Sequence, residues 1–246
     1  MTIYVSFLAV LALSLVAVTI PYWSVFQNST HPPILSVSAG IGITYVFLTL
    51  LPKLAEVQAL LNVTDAYTPV LPIGLQAYLV ALAGFVVFLV TANKGLAEEF
   101  KVAKARVSFG EVLIFGVFGL YYAQIGFLLG EWPSGNWFGY LVLVFAFGMH
   151  FVGINFHIWK RYPRRYPKFL RWVFCACLIL GWIASLIAGQ LSVWTKFATM
   201  FVAGGIIIMA IREEIPPEKD AHIVCFLVSV VAATAFILFA KTVLLR

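Results

Sequence analysis

Apolar residues along this chain come in eight long blocks, over about 3–23, 34–52, 73–93, 108–129, 137–159, 169–189, 193–212 and 222–243, with most charged residues between them. A helix needs about 20 mostly apolar residues to cross the hydrocarbon of a bilayer. Each block therefore predicts a membrane span. Together the blocks use up most of the 246 residues and leave only short loops, with no room for a soluble catalytic domain. The expected architecture is one all-α integral membrane domain over residues 1–246.

The second and seventh blocks carry the same phrase. Ala39-Gly40 is followed twelve positions after the glycine by Pro52, and Ala203-Gly204 twelve positions after its glycine by Pro216. By strict alternation these spans cross in opposite directions. A repeated element of inverted topology marks transporter folds whose solute site lies near the midplane between the repeats.

Composition and charge then refine the picture. The chain is 63% hydrophobic and 11% charged, against about 25% charged in soluble domains. The first block is expected to be a retained helix: no Lys or Arg precedes Lys53, and its apolar run exceeds the usual 7–15 residues of a signal peptide. Of the 16 basic residues, twelve fall in or beside the loops after blocks 3, 5 and 7: Lys94, Lys101, Lys104, Arg106, Lys160, Arg161, Arg164, Arg165, Lys168, Arg171, Arg212 and Lys219. The positive-inside rule puts those loops in the cytoplasm and both termini on the opposite side. The run KRYPRRYPKFLR reads as an anchor facing anionic lipid headgroups, with Tyr162, Tyr166 and Trp172 as an interfacial aromatic belt. That account leaves nothing in the basic pI of about 9.3 to call for nucleic acid. Cys175, Cys177 and Cys225 all lie inside predicted spans, in no disulfide spacing, and read as buried, inert thiols. The sequons at Asn28 and Asn62 carry little weight, because short N-x-T matches are common. The loop from Asn93 to Val107 pairs Glu98 and Glu99 with Lys101 and Lys104, which suits a short surface helix.

Polarity inside the spans is concentrated in blocks 4 and 5. Block 4 has Glu111 near its cytoplasmic end and Tyr121, Tyr122 and Gln124 at mid-depth; block 5 has His150, Asn155 and His157. Polar groups at membrane depth are costly and by default face the bundle interior, where they suggest function. The plainer alternative is hydrogen bonding between helices, worth about 0.6 kcal/mol on average.

These features together resemble the ZIP (Zrt/Irt-like) divalent-metal transporters. SAGIGITYVFLTLLPK is similar to the ZIP segment ending His-Leu-Leu-Pro-Glu, and AGGIIIMAIREEIPPE to the one running from Ala-Gly to an acidic residue and a proline. The resemblance implies a 3+2+3 bundle in which spans 1–3 and 6–8 form the inverted repeat. It covers the whole chain in architecture and is specific in the second and seventh spans. The ligand motifs depart from it. Where ZIP span 4 has His-Asn-x-x-Asp-Gly, this chain aligned on Gly126 has Tyr121, Tyr122 and Ile125. Where span 5 has His-Glu-x-x-His-Glu, it has His150, Phe151, Ile154 and Asn155. The ZIP His and Glu of span 2 become Thr49 and Lys53. Zinc needs about four N, S or O ligands, and one histidine without a carboxylate does not hold two dications. His157 lies seven residues beyond His150, about 10 Å along a helix, too far to share an ion with it.

Two readings follow. In the first, the chain transports a small solute or ion without a binuclear metal centre. Its path is lined by Thr49, Tyr121, Tyr122, Gln124, His150 and Asn155, entered past Lys53 and Glu56, and left past His157, Glu213 and Glu214. Histidine is the side chain type that changes charge near neutral pH, so His150 could couple protons. In the second, the fold survives as a non-transporting structural or regulatory membrane subunit. No enzyme activity is expected, since the spans hold no nucleophile–base pair. Neither is a cofactor: His150 and His157 lie on one helix and cannot be opposite axial haem ligands, and Lys241 has no carboxylate at its depth to support a retinal Schiff base. The expected partners are the lipid bilayer, an unidentified small solute or ion, and a second copy or a membrane-complex subunit.

Overall fold

The computed structural model describes residues 3–27, 32–63, 74–99, 109–131, 137–188, 193–212 and 222–243. Among them there is no strand. The helices are α1 (Ile3–Thr19), α2 (Ser24–Gln27), α3 (Pro33–Tyr45), α4 (Leu51–Val63), α5 (Gln76–Glu99), α6 (Phe109–Glu131), α7 (Trp137–Arg161), α8 (Arg171–Ala188), α9 (Val193–Arg212) and α10 (Ile223–Val243). Four stretches among the described residues are long and apolar enough to cross a membrane: Ile3–Tyr22, Pro33–Asn62, Tyr140–Arg161 and Tyr166–Ile187. Shorter apolar stretches lie in α5, α9 and α10. An all-helical chain is what lipid selects, because a helix satisfies its own backbone. Leu15, Leu141, Phe145, Leu180 and Val231 stand on the exposed surface, an apolar exterior suited to acyl chains rather than to water.

Glycine sets the closest helix contacts. A Cβ on Gly126 of α6 would overlap the Leu178 carbonyl of α8, and one on Gly181 of α8 would overlap the Ala123 carbonyl of α6. α5 and α9 repeat the arrangement, with Gly84 against the Phe201 carbonyl and Gly204 against that of Ala81. Gly40 sits on Ser229 and the Phe226 carbonyl of α10. The glycines of the repeated phrase thus seat α3 on α10 and α9 on α5. Close backbone approach through small residues is how helices associate where the solvent is as apolar as leucine.

The second block does not end at Pro52; its helix continues as α4 to Val63. A proline inside an α-helix lacks an N–H, and its ring clashes with the carbonyl four residues back, here that of Leu48. The chain relieves this with a π-helical turn over Val46–Leu50, in which the Leu51 N–H reaches the Val46 carbonyl. The wider turn makes room just ahead of the proline. The continuous stretch Pro33–Asn62 has 30 residues, about 45 Å of helix, against about 30 Å of hydrocarbon. A stretch of that length fits such a layer by tilting or by extending past it.

The third block differs as well. α5 runs through KGLAEE to Glu99, so the first half of the expected surface helix continues the helix of the third block. Residues 100–108 lie outside the described residues.

Candidate functional site

The polar residues of α6 and α7 fall into separate groups. Midway along the helices, the Tyr121 hydroxyl lies 2.6 Å from His150 Nε2, and both side chains are buried. Which of the two donates depends on the imidazole tautomer.

A second group centres on Asn155. Its Nδ2 donates to the Phe151 carbonyl at 2.6 Å, and its Oδ1 accepts from the Tyr122 hydroxyl at 2.7 Å. The Tyr166 hydroxyl reaches the same Oδ1 at 2.6 Å and the Ala17 carbonyl of α1 at 2.7 Å. One proton thus has two acceptors. Tyr122, Asn155 and Tyr166 are each 0% exposed. The Tyr122 ring stacks on Phe174 of α8 at 4.8 Å. One carboxamide therefore links α6, α7 and the turn that leads into α8, and the Tyr166 hydroxyl extends the link to α1.

Tyr166 corrects the reading of an interfacial belt. Trp172 is exposed and Tyr162 half-buried, but Tyr166 heads a buried stripe of Tyr166, Leu170, Phe174 and Leu178. That four-residue spacing is the signal that separates it from its neighbours. Arg171 is likewise buried rather than turned to headgroups. Its Nη1 donates to the Val18 carbonyl at 3.0 Å and its Nη2 to the Tyr22 hydroxyl at 3.2 Å. A cation at the carbonyl end of α1 also complements the helix dipole.

Gln124 turns a third way. Its Nε2 donates to Thr199 Oγ1 on α9 at 3.3 Å. The pair lines a cavity of about 20 Å³ with Tyr45, Leu50, Ile125, Leu128, Phe147, Val202, Ala203 and Ile206, room for about one water. This cavity lies where α3, the π turn, α6, α7 and α9 meet. Thr199, Val202, Ala203 and Ile206 follow helical spacing, so the alanine of the repeated phrase belongs to the cavity wall. Thr199 and Tyr45 are not among the residues that the sequence singles out. The i, i+4 spacing of Thr199 to Ala203 was the available signal for the first.

Compared with known protein families and curated proteins, the chain matches no family model and no curated sequence.

The remaining candidate residues lie apart from these groups. Thr49 is half-buried in the π turn and is not among the cavity-lining residues. Lys53 and Glu56 pair with each other at 3.0 Å on the exposed face of α4. His157 is half-buried on α7, edge-on to Phe156 at 5.5 Å. Glu213 and Glu214 lie outside the described residues, as does the Glu111 side chain. Among the described residues no three His, Cys, Asp or Glu side chains come together as ligands for one ion. Cys175 is buried with its Sγ 3.6 Å from the Ser14 carbonyl.

Proposed function

We propose that the protein is a transporter on a ZIP-like scaffold of eight spans, with spans 1–3 and 6–8 as an inverted repeat. It moves a small solute or ion between spans 2, 4, 5 and 7, without a binuclear metal centre. The observation that carries the reading is the cavity lined by Gln124 and Thr199, which lies among those four spans. In this reading Lys53 and Glu56 stand at the entrance, His157, Glu213 and Glu214 at the exit, and both termini on the non-cytoplasmic side.

Most helix contacts support the repeat, although that of α1 with α6 has no comparable equivalent between α8 and α7 among the described residues. If spans 1, 2, 3 and 4 exchange with 6, 7, 8 and 5, the contact of α3 with α10 becomes that of α9 with α5. The contacts of α3 with α7, α1 with α7 and α5 with α6 become those of α9 with α6, α8 with α6 and α10 with α7. α1 with α8 and α3 with α9 map onto themselves. Transporters built this way move solute by rocking one repeat unit against the rest of the fold.

One observation favours a non-transporting structural or regulatory subunit instead. Tyr122, Asn155 and Tyr166 spend their hydrogen-bonding capacity on one another and on α1, as groups that only hold a fold would. Uptake into proteoliposomes, measured over monovalent and divalent cations, small anions and small neutral polar solutes, separates the two. At least one solute is expected to enter faster than into empty vesicles, and His150→Ala to change that flux or its pH dependence. Absence of flux for every solute, with another subunit co-purifying, would establish the second reading. Zinc, iron or manganese bound stoichiometrically to the purified protein would overturn the loss of the metal centre.

A further inference from the structure

We propose that Gln58 is a latch closing one end of the cavity, and that α4 is the arm it holds. The transport reading supplies the purpose of such a latch; its test needs no transported solute.

α4 lies at the end of the bundle opposite the basic loop. α3 starts beside the end of α7, since Leu35 packs in one cluster with Ile20, Phe26, Val152 and Phe156, and it runs away from there. At the far end Gln58, 4% exposed, uses its whole carboxamide. Nε2 donates to Gln76 Oε1 at 2.8 Å and to Asn62 Oδ1 at 2.8 Å, and Oε1 accepts from the Ala77 N–H at 2.8 Å. Ala77 stands in the first turn of α5, where backbone N–H groups have no partner within the helix. A side chain from another helix satisfies this one. Gln76 Oε1 also accepts from the Gly74 N–H at 3.2 Å, and Gly74 takes a φ of 87°, which glycine adopts without strain.

Beneath the latch, Leu54, Val57 and Leu61 of α4 pack on Ala77, Ala81, Phe197, Met200 and Ala203, with Leu50 at the edge. Leu50 and Ala203 also line the cavity. In this proposal the cluster, which borders the cavity through those two residues, is its roof, and α4 forms the upper half. The arm joins α3 through the π turn and Pro52, where the regular ladder of helical hydrogen bonds is broken and bending is easiest. The Lys53–Glu56 ion pair is internal to α4 and adds no hold on neighbouring helices. Releasing Gln58 frees the arm to swing about the π turn and lift the roof.

Thr199→Cys places a reporter in the cavity wall. In nanodiscs, its rate of modification by a charged thiol reagent is read by peptide mass spectrometry, with and without Gln58→Ala. Loss of the latch is expected to raise the rate at position 199 about tenfold or more, both hydrogen bonds from α4 to α5 being lost at once. Cys175, buried at the basic end, is the internal control and is expected to stay slow. Equal rates at position 199 in monodisperse proteins would overturn the latch. So would a parallel rise at Cys175, which would mean general loosening. If Gln58→Ala is not monodisperse, Gln76→Ala, which removes one of the two bonds and leaves the Gln58–Ala77 bond, carries the test with a smaller rise expected at position 199 and an unchanged rate overturning the latch. A protein that labels as expected but moves no solute would leave the latch standing and remove the transport reading.

Discussion

Asn155→Leu is expected to destabilise the protein by about 1–3 kcal/mol, the cost of leaving the buried Tyr122 hydroxyl without an acceptor. Leucine is close to asparagine in size, so the effect comes from the lost hydrogen bonds rather than from a cavity. Tyr166 keeps the Ala17 carbonyl, which concentrates the loss on Tyr122. Removing that hydroxyl too, in Asn155→Leu with Tyr122→Phe, is expected to recover most of the stability, because replacing both partners with apolar groups can be nearly neutral. Unfolding midpoints in detergent for the two single variants and the double variant measure the coupling. Additive effects would show that Asn155 does not hold the hub.

Gly181→Val is expected to cost about 3 kcal/mol or more, at or beyond the top of the usual range for overpacking. The first carbon added overlaps the Ala123 carbonyl, and Gly126 meets α8 through backbone in the same way. No side chain can rotate away, so α6 and α8 would separate along the seam that positions Tyr122 against Phe174. Gly116 provides the opposite case on α6. A Cβ there meets nothing within 4 Å, and alanine is a better helix former than glycine by about 1 kcal/mol. Gly116→Ala is therefore expected to leave stability unchanged or raise it. Unfolding of the two variants side by side checks both signs, and equal midpoints would remove glycine contact as what joins α6 and α8.

Much of the fold was legible because lipid imposes simple rules. Long apolar blocks become helices, and small residues such as Gly40 and Gly204 mark where helices touch. Pro52 was misleading because a proline reads as a helix end unless the preceding turn widens, and the widening over Val46–Leu50 leaves no mark in residue type. The candidate site was less legible. In a lipid-embedded helix the buried and exposed faces are both apolar, so periodicity does not orient the few polar residues. Tyr122 and Gln124, two positions apart, point about 200° apart on a helix, one towards Asn155 and the other towards Thr199. Reading them as one path required an orientation that the surrounding leucines and phenylalanines do not encode. Tyr166 was hidden for another reason: among Arg164, Arg165 and Lys168 it looks interfacial, and only its spacing to Leu170 and Phe174 turns it inward.

In the proposed transport reading, solute passes between α3, α6, α7 and α9. This claim is tested most directly by uptake into proteoliposomes carrying wild type, Gln124→Leu or Phe145→Leu at equal density. Wild type and Phe145→Leu, altered only on the exposed face of α7, are expected to take up at least one solute of the panel at the same rate. Gln124→Leu is expected to be slower by about tenfold, the equivalent of one lost polar contact in the path. Uptake by Gln124→Leu equal to that of wild type, or no uptake by any of the three above empty vesicles, would contradict the claim.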